Sequence, residues 1–358
     1  MPRVARAASA PCHTETIPGR GTAVSHETII LSDQDVTALL PHHEVLGMVE
    51  TVFAEWGRGN VVMPPKVNLD MSRSGHDSWC NAMPAYLASS NVGGIKWVGG
   101  FGSNPAQGLP YIMGIVVLTD PETGHALALM DGSHISDWRT GASAAVAAKY
   151  LAREGARKVA MIGAGAQGRT ATVCIHQALP EVQTVVADIS PERRQAFRDD
   201  LREAFGVHVD DAQSVEKAVR GADVVVLLTT ASQPIVMAEW IDPGCLTLAM
   251  GSYQQTEDAL ILGADAIVVD CWGQAAHRGE LKQLADAGTL TEGDVRAELG
   301  DIVAGVKTGR TSADERILAV LVGLGAHDVY IGGQVYQRAL AAERGRRVCL
   351  RHDGGKLQ

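Results

Sequence analysis

Two different hydrophobic patterns divide the chain near residue 150. Between residues 60 and 120, short β-type runs such as GIKWVGGF and YIMGIVVLTD alternate with turns rich in glycine, proline and asparagine. That texture predicts a mostly antiparallel, hairpin-rich sheet. From residue 157 onward, apolar strands alternate with amphipathic helices, which predicts a parallel sheet covered by helices on both faces. The pattern therefore predicts an α/β protein built around two unlike sheets.

Long helices are predicted on either side of this division. One begins at Ser32 or Asp33 and ends near Gly57, and an alanine-rich helix begins near Ser136. After residue 274 the chain is predicted to be helical and polar, and it ends in a helix within GLGAHDVYIGGQVYQRALAAERG. Residues 1–27 show no such pattern and are predicted to form a flexible tail.

A glycine-rich turn follows the first strand of the second pattern, in KVAMIGAGAQG. Gly163 permits a tight turn, Gly165 lets the backbone approach a pyrophosphate, and Gly168 allows close packing of helix on strand. The following helix presents free N–H groups and a positive dipole end to phosphates. Strand, turn and helix together predict a Rossmann dinucleotide-binding domain rather than a bare glycine-rich turn.

The residues after the next strands extend this prediction. Asp188 ends the second strand, where a carboxylate accepts hydrogen bonds from an adenosine ribose and repels a 2′-phosphate. NAD(H) is therefore favoured over NADP(H), although Arg193 and Arg194 follow closely. Thr229 and residues 249–252 lie at the ends of two further strands, where such folds bind their ligands.

Composition and net charge limit the classes of partner that the chain is expected to bind. The 358 residues carry a net charge of −10 and a pI near 5.6, which argues against nucleic acid or an anionic membrane as a partner. No secretory signal, membrane span or metal-binding spacing is evident, and scattered cysteines indicate reduced thiols and a cytoplasmic location. The six cysteines are Cys12, Cys80, Cys174, Cys245, Cys271 and Cys349.

Three cations stand in apolar or glycine-rich settings. Lys66 lies in VMPPKVNL, Lys96 in GGIKWVGG and Arg139 in DWRTGA. Buried cations need partners, and a substrate carboxylate is one candidate, while structural salt bridges are the alternative. His134, His327 and Asp137 are expected to be structural or exposed to solvent.

The segments MPPKV, GIKWVGGF, NPAQGLP, LTDPETGHALALMDGSHISDWRTGASAAVAAKYLA and IGAGAQG occur in an order that resembles the ornithine cyclodeaminase/μ-crystallin family. The resemblance runs from about residue 29 to 340. It implies a homodimer in which each chain has a Rossmann NAD(P)-binding domain, residues 151–320, and an α+β substrate and dimerisation domain. That second domain combines residues 28–150 with 321–358.

The resemblance also implies roles for individual residues. Lys66 and Arg139 match positions that bind the substrate carboxylate, and Lys96 matches the lysine beside the reacting α-carbon. Tyr111, Tyr253, Met83 and the 320–328 turn are expected to line the side-chain pocket. The implied cofactor contacts are Arg139, Thr140, Gly163, Gly165, Ala166, Gln167, Gly168, Asp188, Thr229, Met250, Gly251 and Ser252.

Two departures from the family bear on the reaction. Tyr253 stands where cyclodeaminases carry an aspartate, and Val320 and Leu321 replace an Asp-Ser pair. The leading prediction is an NAD-dependent amino-acid dehydrogenase or imine reductase with a small amino-acid or imine substrate and Lys96 as its catalytic residue. A cyclodeaminase that recycles NAD remains an alternative if Glu257 or Asp258 replaces the missing carboxylate, as does a non-catalytic, μ-crystallin-like binding protein.

Overall fold

The structure, a computed structural model, describes residues 27–72 and 78–350. It contains two eight-stranded sheets with helices packed between and around them. The predicted α/β class and its Rossmann domain are confirmed. Of the predicted tail, residues 1–26 lie outside the described part, whereas Glu27 belongs to a strand. The domain boundaries at residues 150 and 320 stay a prediction.

The first sheet is mostly antiparallel, as the hairpin-rich texture predicts, and its strands follow the order β16-β1-β7-β6-β5-β4-β2, with β3 paired to β4. These strands are β1 (Glu27–Leu31), β2 (Val61–Val62), β3 (Val67–Asp70), β4 (Ser78–Leu87), β5 (Val92–Phe101), β6 (Ile112–Thr119), β7 (Ala126–Asp131) and β16 (Arg346–Cys349). The first and last strands of the described chain therefore lie side by side at one edge of this sheet.

The second sheet is wholly parallel, in the order β10-β9-β8-β11-β12-β15-β13-β14. Its strands are β8 (Lys158–Ile162), β9 (Gln183–Ala187), β10 (Val209–Asp211), β11 (Val224–Leu227), β12 (Leu246–Ala249), β13 (Ala266–Val269), β14 (Val295–Glu298) and β15 (Ile317–Val320). The sequence prediction of a helical region after residue 274 is wrong for β14, β15 and β16, because a four-residue segment is too short to show whether its period is that of a strand or a helix.

The helices are α1 (Asp33–Leu39), α2 (His42–Gly57), α3 (Ser133–Leu151), α4 (Ala166–Ala178), α5 (Pro191–Phe205), α6 (Val215–Val219), α7 (Asp258–Leu262), α8 (Trp272–Ala275), α9 (Lys282–Asp286), α10 (Leu299–Val303) and α11 (Gly325–Ala341). The single helix predicted to end near Gly57 is wrong: it is two helices, α1 and α2. Pro41 precedes α2, and a proline has no N–H with which to continue a helix.

The alanine-rich helix α3 lies in the centre of the molecule and contacts α2, α4, α11, β6 and β12. Its residues from Ala142 to Ala148 are buried on all sides. Gly141 lets α3 and α4 approach closely, because a Cβ there would lie 2.4 Å from the carbonyl carbon of Thr170. The small residues of this helix therefore bring the glycine-rich turn next to the N-terminal half of α3. In the described ranges, no helix has the length and apolarity needed to span a membrane.

Candidate active site

The glycine-rich turn joins β8 to α4 with little room for side chains. Gly163 has a φ of +113°, and a Cβ on it would lie 2.4 Å from the Leu228 carbonyl oxygen. A Cβ on Gly168 would lie 2.3 Å from the Gly163 carbonyl oxygen. Gly165 instead faces open space, since nothing lies within 4 Å of the Cβ position. The exposed Ala166 and half-buried Gln167 begin α4, so an open helix N-terminus fits a pyrophosphate here.

Asp188 follows β9 and is fixed beside this turn. Its carboxylate accepts hydrogen bonds from the backbone N–H of Ala164 at 2.9 Å and of Ser190 at 3.0 Å. Ile189, next to it, is 99% exposed, which leaves an apolar side chain free to contact a base. Arg194 is buried, pairs with Asp211 and donates to the Asp188 carbonyl oxygen. This arginine is therefore occupied within the protein.

A buried polar network fixes the loops after β11 and β12. The Gln255 side-chain amide donates to the Thr229 carbonyl and hydroxyl oxygens at 2.9 and 2.8 Å. Glu280 accepts from the backbone N–H groups of Gln255 at 3.0 Å and Thr256 at 2.7 Å. These contacts fix Thr229 and residues 255–256 beside the predicted cofactor loop, residues 249–252, where the Gly251 Cβ position lies 3.1 Å from the Gln255 side chain. Sequence reasoning missed Gln255 and Glu280, which no local motif marks.

Lys96 is fully buried beneath the last helix. It lies in β5, and its Nζ contacts Asp328 Oδ1 at 2.7 Å and Ser136 Oγ at 3.2 Å. Arg139 reaches the same carboxylate oxygen at 3.3 Å through its Nε. Asp328 lies in the first turn of α11, where the helix dipole favours an anion. The other oxygen of Asp328, Oδ2, is buried and has no hydrogen-bond partner among the described residues.

The sequence prediction included the 320–328 turn but did not single out Asp328, although it is an isolated carboxylate at the start of a glycine-rich, apolar helix. That placement is a signal, but its pairing with Lys96 depends on the tertiary fold. Thr140 lies one residue beyond Arg139 and donates its hydroxyl to the Ser136 carbonyl oxygen at 2.7 Å. It is buried, so its place is beside the arginine within the α3 helix.

Burial and neighbouring charges shift the pKa values of Lys96, Asp328 and Asp137. Burial, with help from Arg139, lowers the pKa of Lys96 to about 8, and Asp328 opposes that change. Burial acts to raise the pKa of Asp328, but Arg139 and Lys96 hold it below its usual range. Burial raises the pKa of Asp137 to about 6. The pKa of Lys96 therefore lies closer to neutral pH than that of an exposed lysine, in the range that suits a general acid or base.

Lys66 lies in the loop between β2 and β3, and its side chain reaches the segment after β15. Its Nζ donates to the Val322 carbonyl oxygen at 2.6 Å. The fully buried Asp270 accepts from the Gly323 N–H, also at 2.6 Å. Burial and the nearby Arg278 lower the pKa of Lys66, whereas burial raises that of Asp270. Gly323, with a φ of +90°, allows close contact, since a Cβ there would lie 2.8 Å from Arg139 Nη1.

The expected side-chain pocket contains one cation that the sequence prediction missed. Tyr111 is half-buried, Tyr253 is 47% exposed, and both act electrostatically on the half-buried Arg278. Met83 is buried and lies opposite Lys96 in the sheet register.

The residues that could replace a cyclodeaminase carboxylate do not gather here. Val320 and Leu321 are buried apolar residues at the end of β15. Glu257 accepts from the Ala238 N–H, and Asp258 accepts from Gln254. Both carboxylates are therefore engaged elsewhere.

His327 next to Asp328 is structural in its setting. Its ring packs edge-on against Phe53, with 4.6 Å between ring centroids, and burial lowers its pKa to about 3. The imidazole therefore stays neutral at physiological pH. His134, expected to be structural or exposed, is half-buried in α3. Across residues 27–72 and 78–350, no three His, Cys, Asp or Glu side chains gather in a way that could hold a metal ion.

Comparison with known proteins finds one family and several solved structures that are similar to this chain. The ornithine cyclodeaminase/mu-crystallin family matches residues 26–343. A solved Thermococcus litoralis Δ1-pyrroline-2-carboxylate reductase, in complex with NADH and L-proline, is 30% identical, with a TM-score of 0.83 over 90% of this chain and 100% of that one. An archaeal alanine dehydrogenase dimer with bound NAD is 34% identical, with a TM-score of 0.83 over 90% and 99%.

A third solved structure, the iminosuccinate reductase of Paracoccus denitrificans in complex with NAD+, is 26% identical. Its TM-score is 0.81, over 90% of this chain and 99% of that one. The similarity therefore extends through both sheets and almost the full length of each relative. The chain belongs to the ornithine cyclodeaminase/mu-crystallin family.

Proposed function

We propose that this chain is an NAD-dependent oxidoreductase that acts at the α-carbon of an amino acid or its imine, as an amino-acid dehydrogenase or ketimine reductase. One observation carries the proposal: Lys96, a fully buried lysine with a pKa of about 8, lies against Asp328 and next to Arg139. Relatives that span the chain are named for oxidation of alanine and for reduction of cyclic or acyclic imines.

The position of this cluster supports hydride chemistry. The glycine-rich turn lies at the carboxyl end of β8, and the Lys66–Asp270–Arg139 contacts lie just beyond the carboxyl end of β15. Three strand intervals separate β8 from β15, a distance of about 14 Å. Thr229 and residues 250–252 lie between them, after β11 and β12. A dinucleotide held at the turn would extend along this edge toward Arg139.

We assign the following roles. Lys66 and Arg139 bind the α-carboxylate of the substrate and so orient its α-carbon. In the reductive direction the Lys96 ammonium donates a proton to the imine nitrogen, and in the oxidative direction neutral Lys96 accepts a proton from the amine. Asp328 keeps Lys96 in place, and its free Oδ2 can accept a hydrogen bond from the substrate nitrogen. The nicotinamide, when bound, supplies or takes the hydride.

Cofactor preference, assembly, location and side-chain contacts are proposed on separate grounds. We propose NAD(H) rather than NADP(H), since Asp188 faces the adenosine side and Arg194 is already paired. A homodimer is proposed from the dimeric archaeal relative. A cytoplasmic location is proposed from the free thiols of Cys80, Cys174, Cys245 and Cys271. The expectation of reduced thiols is wrong for Cys349, which is disulfide-bonded. Tyr111 and Tyr253 are proposed to contact the substrate side chain.

The test is a screen that follows NADH absorbance with 2-keto acids plus ammonia or amines, in the wild type and in Lys96→Met. We expect kcat to fall by about 10²–10⁴-fold in the variant, the usual contribution of a positioned acid or base. Lys149→Met is the matched control, because Lys149 is an exposed lysine paired with Glu50 on the surface. Full activity in Lys96→Met would overturn the assignment.

Two additions to the screen separate the alternatives: diamino acids as substrates with detection of the product, and a titration of NAD(P)H binding. Conversion of a diamino acid to a cyclic imino acid with no net change in NADH would identify a cyclodeaminase. Tight NAD(P)H binding with no turnover of any keto acid and amine pair would identify a binding protein. Either result would contradict the proposed dehydrogenase or ketimine reductase activity.

A further inference from the structure

Arg278 is a site cation for which the proposed reaction has no use. It follows α8, and its Nη2 donates to the Ser252 hydroxyl at 2.9 Å. Its guanidinium carbon lies 5.2 Å from the centre of the Trp79 ring. Within residues 27–72 and 78–350, no carboxylate lies within ion-pair distance of it. Most of the five N–H donors of this guanidinium are therefore available to a ligand.

The backbone holds Arg278 against the loop after β12, residues 249–252, which is predicted to contact the cofactor. Gly279, with a φ of +73°, has its Cβ position 3.0 Å from the Gly251 carbonyl oxygen, so this segment and the loop after β12 are in contact. Glu280, one residue further, accepts from the backbone of Gln255 and Thr256. The arginine thus extends from a segment that is fixed on both sides.

Trp79 provides a fixed platform for the guanidinium from the other sheet. It is half-buried in β4 and lies opposite Gly100 of β5 in the register. A Cβ on Gly100 would lie 2.7 Å from the Trp79 ring, so the indole lies flat across that glycine. Arginine stacks on an aromatic face and keeps its N–H edge free for a carboxylate. Arg278 therefore bridges the two sheets with its hydrogen-bonding edge available.

The other cations of the cleft already have anionic or polar partners. Lys96 and Arg139 share Asp328. Lys66 donates to the Val322 carbonyl oxygen and interacts electrostatically with Asp270. Arg278 also acts electrostatically on Lys66, so the two cations lie near each other.

We propose that Arg278, with Ser252 and Trp79, binds a second anionic group at the side-chain end of the substrate. This inference rests on the proposed function, in which Lys66 and Arg139 bind the α-carboxylate. It names the substrate class as amino acids, or their imines, that carry a carboxylate on the side chain. The phenols of Tyr111 and Tyr253 complete the surroundings of that second carboxylate.

The experiment compares keto acids with and without a second carboxylate in the reductive assay with ammonia and NADH. Oxaloacetate and 2-oxoglutarate are the dicarboxylates, and pyruvate and 2-oxobutyrate are the monocarboxylates. In the wild type, kcat/KM for the better dicarboxylate should exceed that for both monocarboxylates. Arg278→Met should lower it by about 100-fold, because truncating one partner of a desolvated charge pair has effects of that size. Monocarboxylate turnover should change by less than about threefold, within ordinary mutational variation.

Controls separate the outcomes. Arg202→Met removes an exposed arginine that pairs with Asp199 on the surface, and should leave the turnover of both substrate classes unchanged. NADH titration by fluorescence reports whether Arg278→Met still folds and binds cofactor, and Ser252→Ala provides a milder change at the same place.

Equal loss of activity with both substrate classes, or weakened NADH binding alone, would overturn the second-carboxylate subsite while leaving the oxidoreductase intact. Preference for monocarboxylates in the wild type would do the same. If no keto acid and amine pair is turned over at all, the proposed function itself is wrong.

Discussion

Replacement of Asp328 by asparagine removes the negative charge between Lys96 and Arg139 while preserving the shape of the side chain. The carboxylate oxygen lies 2.7 Å from Lys96 and 3.3 Å from Arg139, and all three side chains are at least 90% buried. At an effective dielectric constant of about 20, the shorter pair alone corresponds to about 6 kcal/mol of attraction. The asparagine no longer incurs the desolvation of a charge, so the net loss in unfolding free energy should be about 3–5 kcal/mol.

The same substitution should move the pH dependence of the reaction. Asp328 raises the pKa of Lys96 against the effects of burial and Arg139. Without that carboxylate the pKa of Lys96 falls, by about one unit or more, since one unit corresponds to 1.36 kcal/mol. Protonated Lys96 is the acid in the reductive direction. The wild-type reductive rate should therefore decline as pH rises through about 8, and this decline should begin at lower pH in Asp328→Asn.

Two assays measure these effects: urea unfolding of both proteins at one pH, and kcat/KM for reduction between pH 6 and 10. Asp137→Asn is the control, because Asp137 exerts the weakest of the named influences on the Lys96 pKa. Asp137→Asn should shift the pH at which the reductive rate declines by less than Asp328→Asn does. An Asp328→Asn protein with wild-type stability and an unchanged pH of decline would refute the reasoning.

Three further predictions concern the cofactor turn and the fold. Gly165→Ala should leave the melting temperature unchanged, because its Cβ position is open, but should weaken NADH binding in a titration, because the added methyl would occupy space that a bound phosphate needs. Gly163→Ala should weaken NADH binding and also lower the melting temperature, since its Cβ position is blocked by the Leu228 carbonyl oxygen. Asp188→Ala should reduce the preference for NADH over NADPH in steady-state kinetics, and an unchanged ratio would contradict its ribose contact. Arg296 and Thr311 lower the pKa of the buried Glu315 to about 2 from 4.5. That stabilisation is present above pH 4.5 and is lost as pH falls toward 2, so Glu315→Gln should cost on the order of 3 kcal/mol in urea unfolding at pH 7 and almost nothing near pH 2.

Local patterns made much of this fold predictable. The strand, glycine turn and helix of residues 158–178 are contiguous, so their hydrophobic period and their glycine spacing are visible in one window. The burial of Lys96 and its need for a partner could also be predicted, because a lysine within an apolar strand must be paired. The strands β14, β15 and β16 were not predicted, since each has only four residues, too few to show a hydrophobic period.

The missed site residues were distant from one another in sequence. Asp328 is 232 residues from Lys96, and nothing in either segment specifies the other as its partner. Asp270 directly follows β13, and the carboxyl end of a parallel strand is a position that could have been examined. Arg278 lies in a short irregular segment with no period, so its contact with Trp79 follows only from the packing of two sheets.

The pairing of Lys96 with Asp328 also constrains the order in which the chain can fold during synthesis. At about 5–20 residues per second, the ribosome needs on the order of 12–46 s to make the 232 residues between them. During that interval the early sheet lacks α11, β16 and the anion for its buried lysine. The N-terminal sheet is therefore expected to close only when the last helix emerges, and until then its edge and apolar face are open to aggregation.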